Sequence, residues 1–244
     1  MIEVEGLRKQ FGEVVAVDGI SLRAEDGQVT GLLGPNGAGK TTTLRMLYGL
    51  MRPDAGIIRV DGIDVASDLL RAQGRIGVLP DAHGLYPRLT AVEHIRYYGR
   101  LHGMSETALQ ERVDSLVELL DMGAIAGRKA EGYSHGERMK VSLARALVHD
   151  PSNILLDEPT NGLDVLGTRA VRGLVRRLRE RGRSVLFSSH IMQEVSALCD
   201  RIVIIADGRI AAAGTPDGIR NQAGRESLEE AFVALTGLDE EVGS

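Results

Sequence analysis

An α/β fold with a mainly parallel sheet is predicted by three features of this sequence. Short apolar runs of strand length alternate with longer stretches of helical periodicity. One run, ending at Leu32-Leu33, passes into a glycine-rich loop and then a helical stretch. Another, Asn153 to Leu156, ends in two adjacent acids. In parallel sheets, ligands sit at the carboxyl ends of the strands, so both runs point to one edge of the sheet.

Taken in order, Leu22 to Ala24 and Gln28 to Leu33 read as strands, with Asp26-Gly27 as the turn between them. A helix is expected from about Lys40 to Leu50, and strands at Ile57 to Val60 and Ile76 to Leu79. From about residue 88 to residue 148 the periodicity is helical with almost no strand signal, which reads as a helical insertion. The alternation then returns. Asn153 to Leu156 is a buried strand, Asp164 to Arg181 a helix and Ser184 to Ser188 a strand. Arg201 to Ala206 and Arg209 to Ala213 flank an Asp207-Gly208 turn. Ser227 and Glu230 have the spacing of a capping box, and Leu228, Ala231, Phe232 and Leu235 share the face of the helix that follows. Residues 238–244 read as an acidic tail.

Composition narrows the function classes. The 244 residues suit one large domain or one domain with a substantial insertion. With 43% hydrophobic and 26% charged residues the chain is globular rather than disordered. No apolar stretch approaches the roughly 18 residues of a membrane helix, and Met1 to Glu5 lacks the character of a signal peptide. A single cysteine, Cys199, allows no intramolecular disulfide and suits a reducing cytoplasm. The net charge of −5 disfavours a surface that embraces nucleic acid, and no nucleic-acid partner is expected.

Two motifs carry chemistry. Gly34-Pro35-Asn36-Gly37-Ala38-Gly39-Lys40-Thr41, with Thr42 next in line, matches the phosphate-binding pattern G-x-x-x-x-G-K-[ST]. Glycines let the backbone curl its N–H groups toward phosphate oxygens, and the following helix adds its positive end. Lys40 is placed to reach the β- and γ-phosphates and Thr41 to hold Mg²⁺. In Asn153 to Pro159, the strand ends at Asp157, suited to contact Mg²⁺ through water, and Glu158, suited to polarise the water that attacks the γ-phosphate.

With these motifs in this order the chain resembles the ATP-binding cassette (ABC) ATPases, from about Ile2 to Gly237. Tyr133-Ser134-His135-Gly136-Glu137 stands where that family has its signature, usually Leu-Ser-Gly-Gly-Gln, and Val141 to Leu147 resembles the signature helix. Asn161-Gly162-Leu163-Asp164 resembles the D-loop, His190 the switch histidine, and Phe11 the aromatic that stacks on adenine. The resemblance implies one ABC ATPase domain over 1–237, with a RecA-like core sheet, an antiparallel β subdomain and the inserted helical subdomain. It also implies ATP and Mg²⁺ as cofactors and a second copy of the chain as partner. In that dimer Ser134, His135, Gly136 and Glu137 of one subunit face the γ-phosphate bound by the other. A separately encoded membrane permease would hold the chain at the cytoplasmic face of the inner membrane.

Three positions depart from the family pattern. Asp81 stands in place of the Q-loop glutamine after Ile76 to Pro80; it can ligate Mg²⁺ but lacks an amide donor. His135 replaces a glycine and Glu137 a glutamine. The segment Leu79 to Tyr86, taken with Tyr133 to Glu137, narrows the resemblance to the ATPase subunits of NatA-type bacterial sodium exporters. The competing class is a soluble ABC ATPase of DNA maintenance or translation. Against it, the 117 residues from Lys40 to Asp157 hold no sustained heptads, zinc cysteines are missing and the chain has one cassette. A regulatory module with little hydrolysis is the third reading; Glu158 opposes it, while Asp81 and His135 leave it open. Arg169, Arg172, Arg176, Arg179 and Arg183 form a stripe opposite Val171, Leu174, Val175 and Leu178, the pattern of a solvated helix face.

Overall fold

The computed structural model describes residues 1–82 and 84–237; the acidic stretch 238–244 lies outside them. In chain order the elements are β1 (Ile2–Phe11), β2 (Val14–Ala24), β3 (Val29–Leu33), α1 (Lys40–Leu47), β4 (Ala55–Val60), β5 (Ile63–Asp64), α2 (Leu69–Gln73) and β6 (Ile76–Leu79). The helical block follows as α3 (Ala91–Leu101), α4 (Glu106–Leu119) and α5 (His135–Leu147). The remainder is β7 (Asn153–Asp157), α6 (Val165–Glu180), β8 (Ser184–Ser189), α7 (Met192–Leu198), β9 (Arg201–Ala206), β10 (Arg209–Gly214), α8 (Pro216–Ala223) and α9 (Leu228–Thr236).

Two sheets form. The larger has the order β10-β9-β3-β8-β7-β6, parallel throughout except for the β10 edge, and the smaller is the antiparallel β2-β1-β4-β5. This is the predicted α/β class: a mainly parallel core, an antiparallel sheet and inserted helices. The apolar runs at β7 and β8 are continuous because both faces are covered. Ile154, Leu156, Val185 and Phe187 point to one core with Val171, Leu174 and Val175 of α6 and Leu143 of α5. The alternate residues Leu155 and Leu186 point to the other, with Leu44 and Leu47 of α1 and Ile2, Val4 and Leu7 of β1. Each such side chain contributes about 1.5–3 kcal/mol by leaving water.

Some local expectations do not hold. Asp26-Gly27 is a turn, but β2 and β3 belong to different sheets, so it joins two layers rather than closing a hairpin. Strand β1 escaped the pattern because its pairing with β2 shifts register three times, which scrambles the period-2 signal. Helix α1 ends at Leu47, three residues before the expected Leu50, and Gly49 follows at φ 73°. Ser227 accepts from the Glu230 N–H at 3.1 Å, while the reciprocal bond of the capping box is absent among the described residues. Asp207-Gly208 does close the β9–β10 hairpin, with φ 48° and 74°, as a two-residue turn of the primed kind requires. In the arginine stripe, Arg179 pairs with Asp200 at 2.6 Å, Arg183 with Asp150 at 2.6 Å and Arg172 with Glu194 at 3.8 Å. Much of its charge is thereby balanced within the chain.

Candidate functional site

Three loops leave the carboxyl ends of three neighbouring strands, β3, β8 and β7. The loop after β3 is Gly34 to Gly39. Gly39 sits at φ 102°, and a Cβ there would come within 2.4 Å of the Ala16 carbonyl, so both its conformation and its space demand glycine. Gly39 is also the N-cap of α1 and supplies no side-chain bond. The first-turn N–H groups are left to meet an anion. Lys40 is buried, and its Nζ donates to the carbonyls of Gly34 (2.8 Å) and Pro35 (3.1 Å). Ala38 N–H closes the turn onto the Pro35 carbonyl at 3.2 Å.

The loop after β7 brings the acids. Asp157 is buried and accepts from Ser188 Oγ at 2.6 Å and Thr41 Oγ1 at 3.2 Å. Burial raises its carboxyl above the usual range; the two hydroxyl bonds oppose that, and the charges of Asp81 and Glu158 reinforce it. Glu158 stands at φ 48°, a left-handed conformation that non-glycine residues hold only when their surroundings fix it. Its N–H donates to Ser188 Oγ at 3.0 Å, its carboxylate lies 3.5 Å from Lys40 Nζ, and His190 Nδ1 donates to it at 3.0 Å. Ser188 thus holds both acids. It was not picked out from the sequence, although the Ser188-Ser189-His190 run ending an apolar strand carries the signal.

Asn36, Gly37, Gly39, Lys40, Thr41, Thr42, Asp81, Glu158, Asn161, His190 and Ala16 line one cleft of about 460 Å³. The Thr41 hydroxyl and the Asp157 carboxylate that accepts from it at 3.2 Å offer oxygen donors of the kind Mg²⁺ takes. No group of three or more His, Cys, Asp or Glu able to hold a metal occurs among the described residues. Mg²⁺ uses one or two carboxylates together with substrate phosphates, so Thr41 and Asp157 suffice.

Other predicted residues lie outside this cleft. Phe11, on the β1–β2 hairpin, is 47% exposed with Lys9 Nζ 5.7 Å from its ring centre. Ser134 caps α5 in a full capping box with Glu137, which also pairs with Arg128 at 2.9 Å. Ser134, Gly136 and Glu137 border a separate groove between α5 and α6. His135 Nε2 donates to the Asn161 carbonyl at 2.9 Å, so the imidazole rests on its own chain's Asn161-Gly162 turn.

A third surface lies between β6 and the helical block. It is a cleft of about 620 Å³ lined by Tyr48, Leu50, Val78, Pro80, Tyr98, Arg145 and the stacked pair His102 and His149, among others. His149 Nε2 donates to the Ile76 carbonyl at 3.0 Å. Burial, then the neighbouring His102, pushes its imidazole down to about 4. The unfolded chain, with an ordinary value near 6.5, therefore binds more protons between pH 6.5 and 4. Stability is full above that window and falls as pH drops through it. The loss from this side chain is on the order of 2 kcal/mol once solvent screening is included. Thermal unfolding at pH 7.5 and pH 5 should show a smaller drop in Tm for His149→Gln, which keeps a donor for Ile76 without titrating; an equal drop would contradict this.

Comparison with known proteins gives these results. The family described as "ABC transporter" matches residues 17–161. The ABC transporter ATP-binding protein NatA of Bacillus subtilis is 42% identical over 222 residues, 91% of this chain and 90% of that protein. The Nod factor export ATP-binding protein I of Ralstonia nicotianae is 39% identical, over 88% of this chain and 67% of that one. The linearmycin resistance ATP-binding protein LnrL of Bacillus subtilis is 35% identical, over 98% and 76%. Among solved structures, the ATP-binding subunit of an ABC transporter superposes with a TM-score of 0.89 at 31% identity, covering 96% of this chain and 99% of that one. A dimeric bacterial ABC transporter cassette superposes with a TM-score of 0.81 at 26% identity, over 88% and 98%.

Proposed function

Because the chain belongs to the ABC transporter family of ATP-hydrolysing subunits, we propose that it drives export through a separate membrane permease, with sodium as the first cargo to test. One observation supports the chemistry above the others: Lys40, Thr41, Glu158 and His190 converge from three adjacent strand ends on one cleft, with Asp157 buried beside it and bonded to Thr41. Export and sodium rest on resemblance to NatA-type subunits. Relatives named for Nod factor export and linearmycin resistance lie at similar identity, so the cargo must be measured.

In this reading the loop from Gly34 to Thr42 cradles the phosphates and Lys40 turns from its own carbonyls to the β- and γ-oxygens. Thr41 and Asp157 would hold Mg²⁺, and the bound ion would supply positive charge to offset that developing on the transferred phosphoryl group. Glu158 orients and polarises the attacking water. His190 keeps Nδ1–H on Glu158; to donate to the γ-phosphate as well, it must carry a second proton on Nε2. Phe11 stacks on adenine. Asp81 lines the cleft at the end of β6, next to the permease-facing groove, and couples metal occupancy to the permease. Ser134 and Gly136 of one copy close on ATP held by the other, the arrangement that makes a dimer necessary. His135 and Glu137 flank that contact, and His135 reaches phosphate only by leaving Asn161. Residues 1–237 act as one domain, and the cleft between β6 and the helical block receives a permease segment. Among the described residues no helix is long and apolar enough to cross a membrane, and we place the chain at the cytoplasmic face through that permease.

The test is reconstitution with a candidate membrane permease. Vesicles loaded with sodium should release it on ATP addition, and Glu158→Gln should abolish the release. Asp81→Ala should lower transport more than ATP turnover. Turnover altered by the membrane protein without sodium movement would discard sodium and keep the transporter. Turnover indifferent to every such partner would favour the soluble class of ABC ATPase.

A further inference from the structure

The parallel pairing of β7 with β8 ends at Asp157 opposite Ser188. Beyond that point the two chains that carry Glu158 and His190 have no ladder between them, yet the two side chains meet at 3.0 Å. Beyond Ser188, which bonds Asp157 and the Glu158 N–H, a second buried group spans the gap. Glu194, on α7, is 3% exposed. Its Oε2 accepts from Thr160 Oγ1, two residues past Glu158, and from Ser189 Oγ at 3.5 Å, one residue before His190. Ser189 Oγ in turn accepts from the Ile191 N–H at 3.0 Å, which fixes the chain on the far side of His190. The other carboxylate oxygen faces Arg172 of α6 at 3.8 Å, so the helix opened by Asp164 joins the same cluster.

A carboxylate held this deep is costly unless donors satisfy it, and here it is met by two hydroxyls and a guanidinium. The Thr160 bond is short and of the stronger, charge-assisted kind, while the 3.5 Å contact from Ser189 is the weaker of the two. The left-handed backbone of Glu158 needs such support, since strained residues persist only where the surroundings over-determine them.

We propose that Glu194 is a positioning residue for hydrolysis: its buried carboxylate cross-links the Thr160 and Ser189 loops and so holds Glu158 and His190 in register with each other and with the γ-phosphate. Glu194 itself touches no substrate. The proposal rests on the reading of Glu158 and His190 given above.

The experiment is Mg-ATP hydrolysis and ATP binding by the purified full chain. Glu194→Ala should lower kcat by about 10- to 100-fold, the scale of a misplacement near 1 Å, with KM and ATP affinity held within about 3-fold. Glu194→Gln, which retains an oxygen for Thr160 and Ser189, should recover most of kcat. Thr160→Val should give part of the loss, and combined with Glu194→Ala should add little, because both act on one contact. Should Glu194→Ala fail to fold, Thr160→Val and Ser189→Ala carry the same kcat-against-KM test without leaving a cation unpaired. Parent-like kcat in these variants, or ATP affinity falling in step with kcat, overturns the proposal. Glu158→Gln is measured alongside. If it is inactive while the Glu194 and Thr160 variants are parent-like, only the positioning proposal falls. If Glu158→Gln turns over at the parent rate, the reading of the site falls and the proposal with it.

Discussion

Glu158→Gln is expected to slow ATP turnover by about 10²–10⁴-fold, the range lost with a general base, and to accumulate an ATP-bound dimer. The substitution keeps side-chain volume and one oxygen for His190 Nδ1–H, so the cleft stays assembled. What goes is the negative charge 3.5 Å from Lys40 and the capacity to polarise water. Loss of that repulsive charge beside the γ-phosphate also favours the bound state. Hydrolysis assays give the rate, and light scattering with saturating Mg-ATP gives the mass. A variant that remains monomeric with ATP, or hydrolyses at the parent rate, would contradict the roles assigned to the cleft.

Lys40→Ala is expected to weaken ATP binding by at least about 10- to 100-fold, since hydrogen bonds to a charged group contribute about 1.5–3 kcal/mol each. The ammonium is buried and folded onto the carbonyls of Gly34 and Pro35, at the base of the loop that follows β3. The variant should still fold, because Lys40 lines the cleft and water can follow into the space its side chain leaves to bond those carbonyls. Equilibrium titration with Mg-ATP measures the affinity, and thermal unfolding checks the fold. An unchanged affinity would mean that phosphates bind elsewhere.

The parallel core was legible because β3, β7 and β8 are buried on both faces, and burial on both faces leaves unbroken apolar runs. The glycine-rich loop was legible for a related reason: Gly39 has neither the space nor the backbone conformation for any other residue. Strand β1 was not legible. Its three register shifts mix inward and outward residues, and its charged positions pair across the sheet, as Arg23 does with Glu3 and Arg59 with Glu5. The cleft itself followed from its acids and its lysine, whereas Ser188 and Glu194 did not. A serine on a strand and a glutamate on a short helix are ordinary in sequence, and only the end of the β7–β8 ladder makes them bridges. His135 shows the other limit: its place in the signature points to phosphate, while its ring bonds Asn161 of the same chain, a contact 26 residues away that no local pattern encodes.

The central claim is that each ATP site is shared between two copies, with Lys40 from one and Ser134 from the other. Mixing two inactive chains tests it most directly. Lys40→Ala disables the phosphate loop, and Ser134→Arg blocks the start of α5 with a bulky cation. A mixed dimer of the two contains one site with both defects and one site with neither. The account predicts that each variant alone is inactive and that the equimolar mixture regains ATP hydrolysis, falling again when either chain is in excess. A mixture no more active than its separate parts would contradict the shared site.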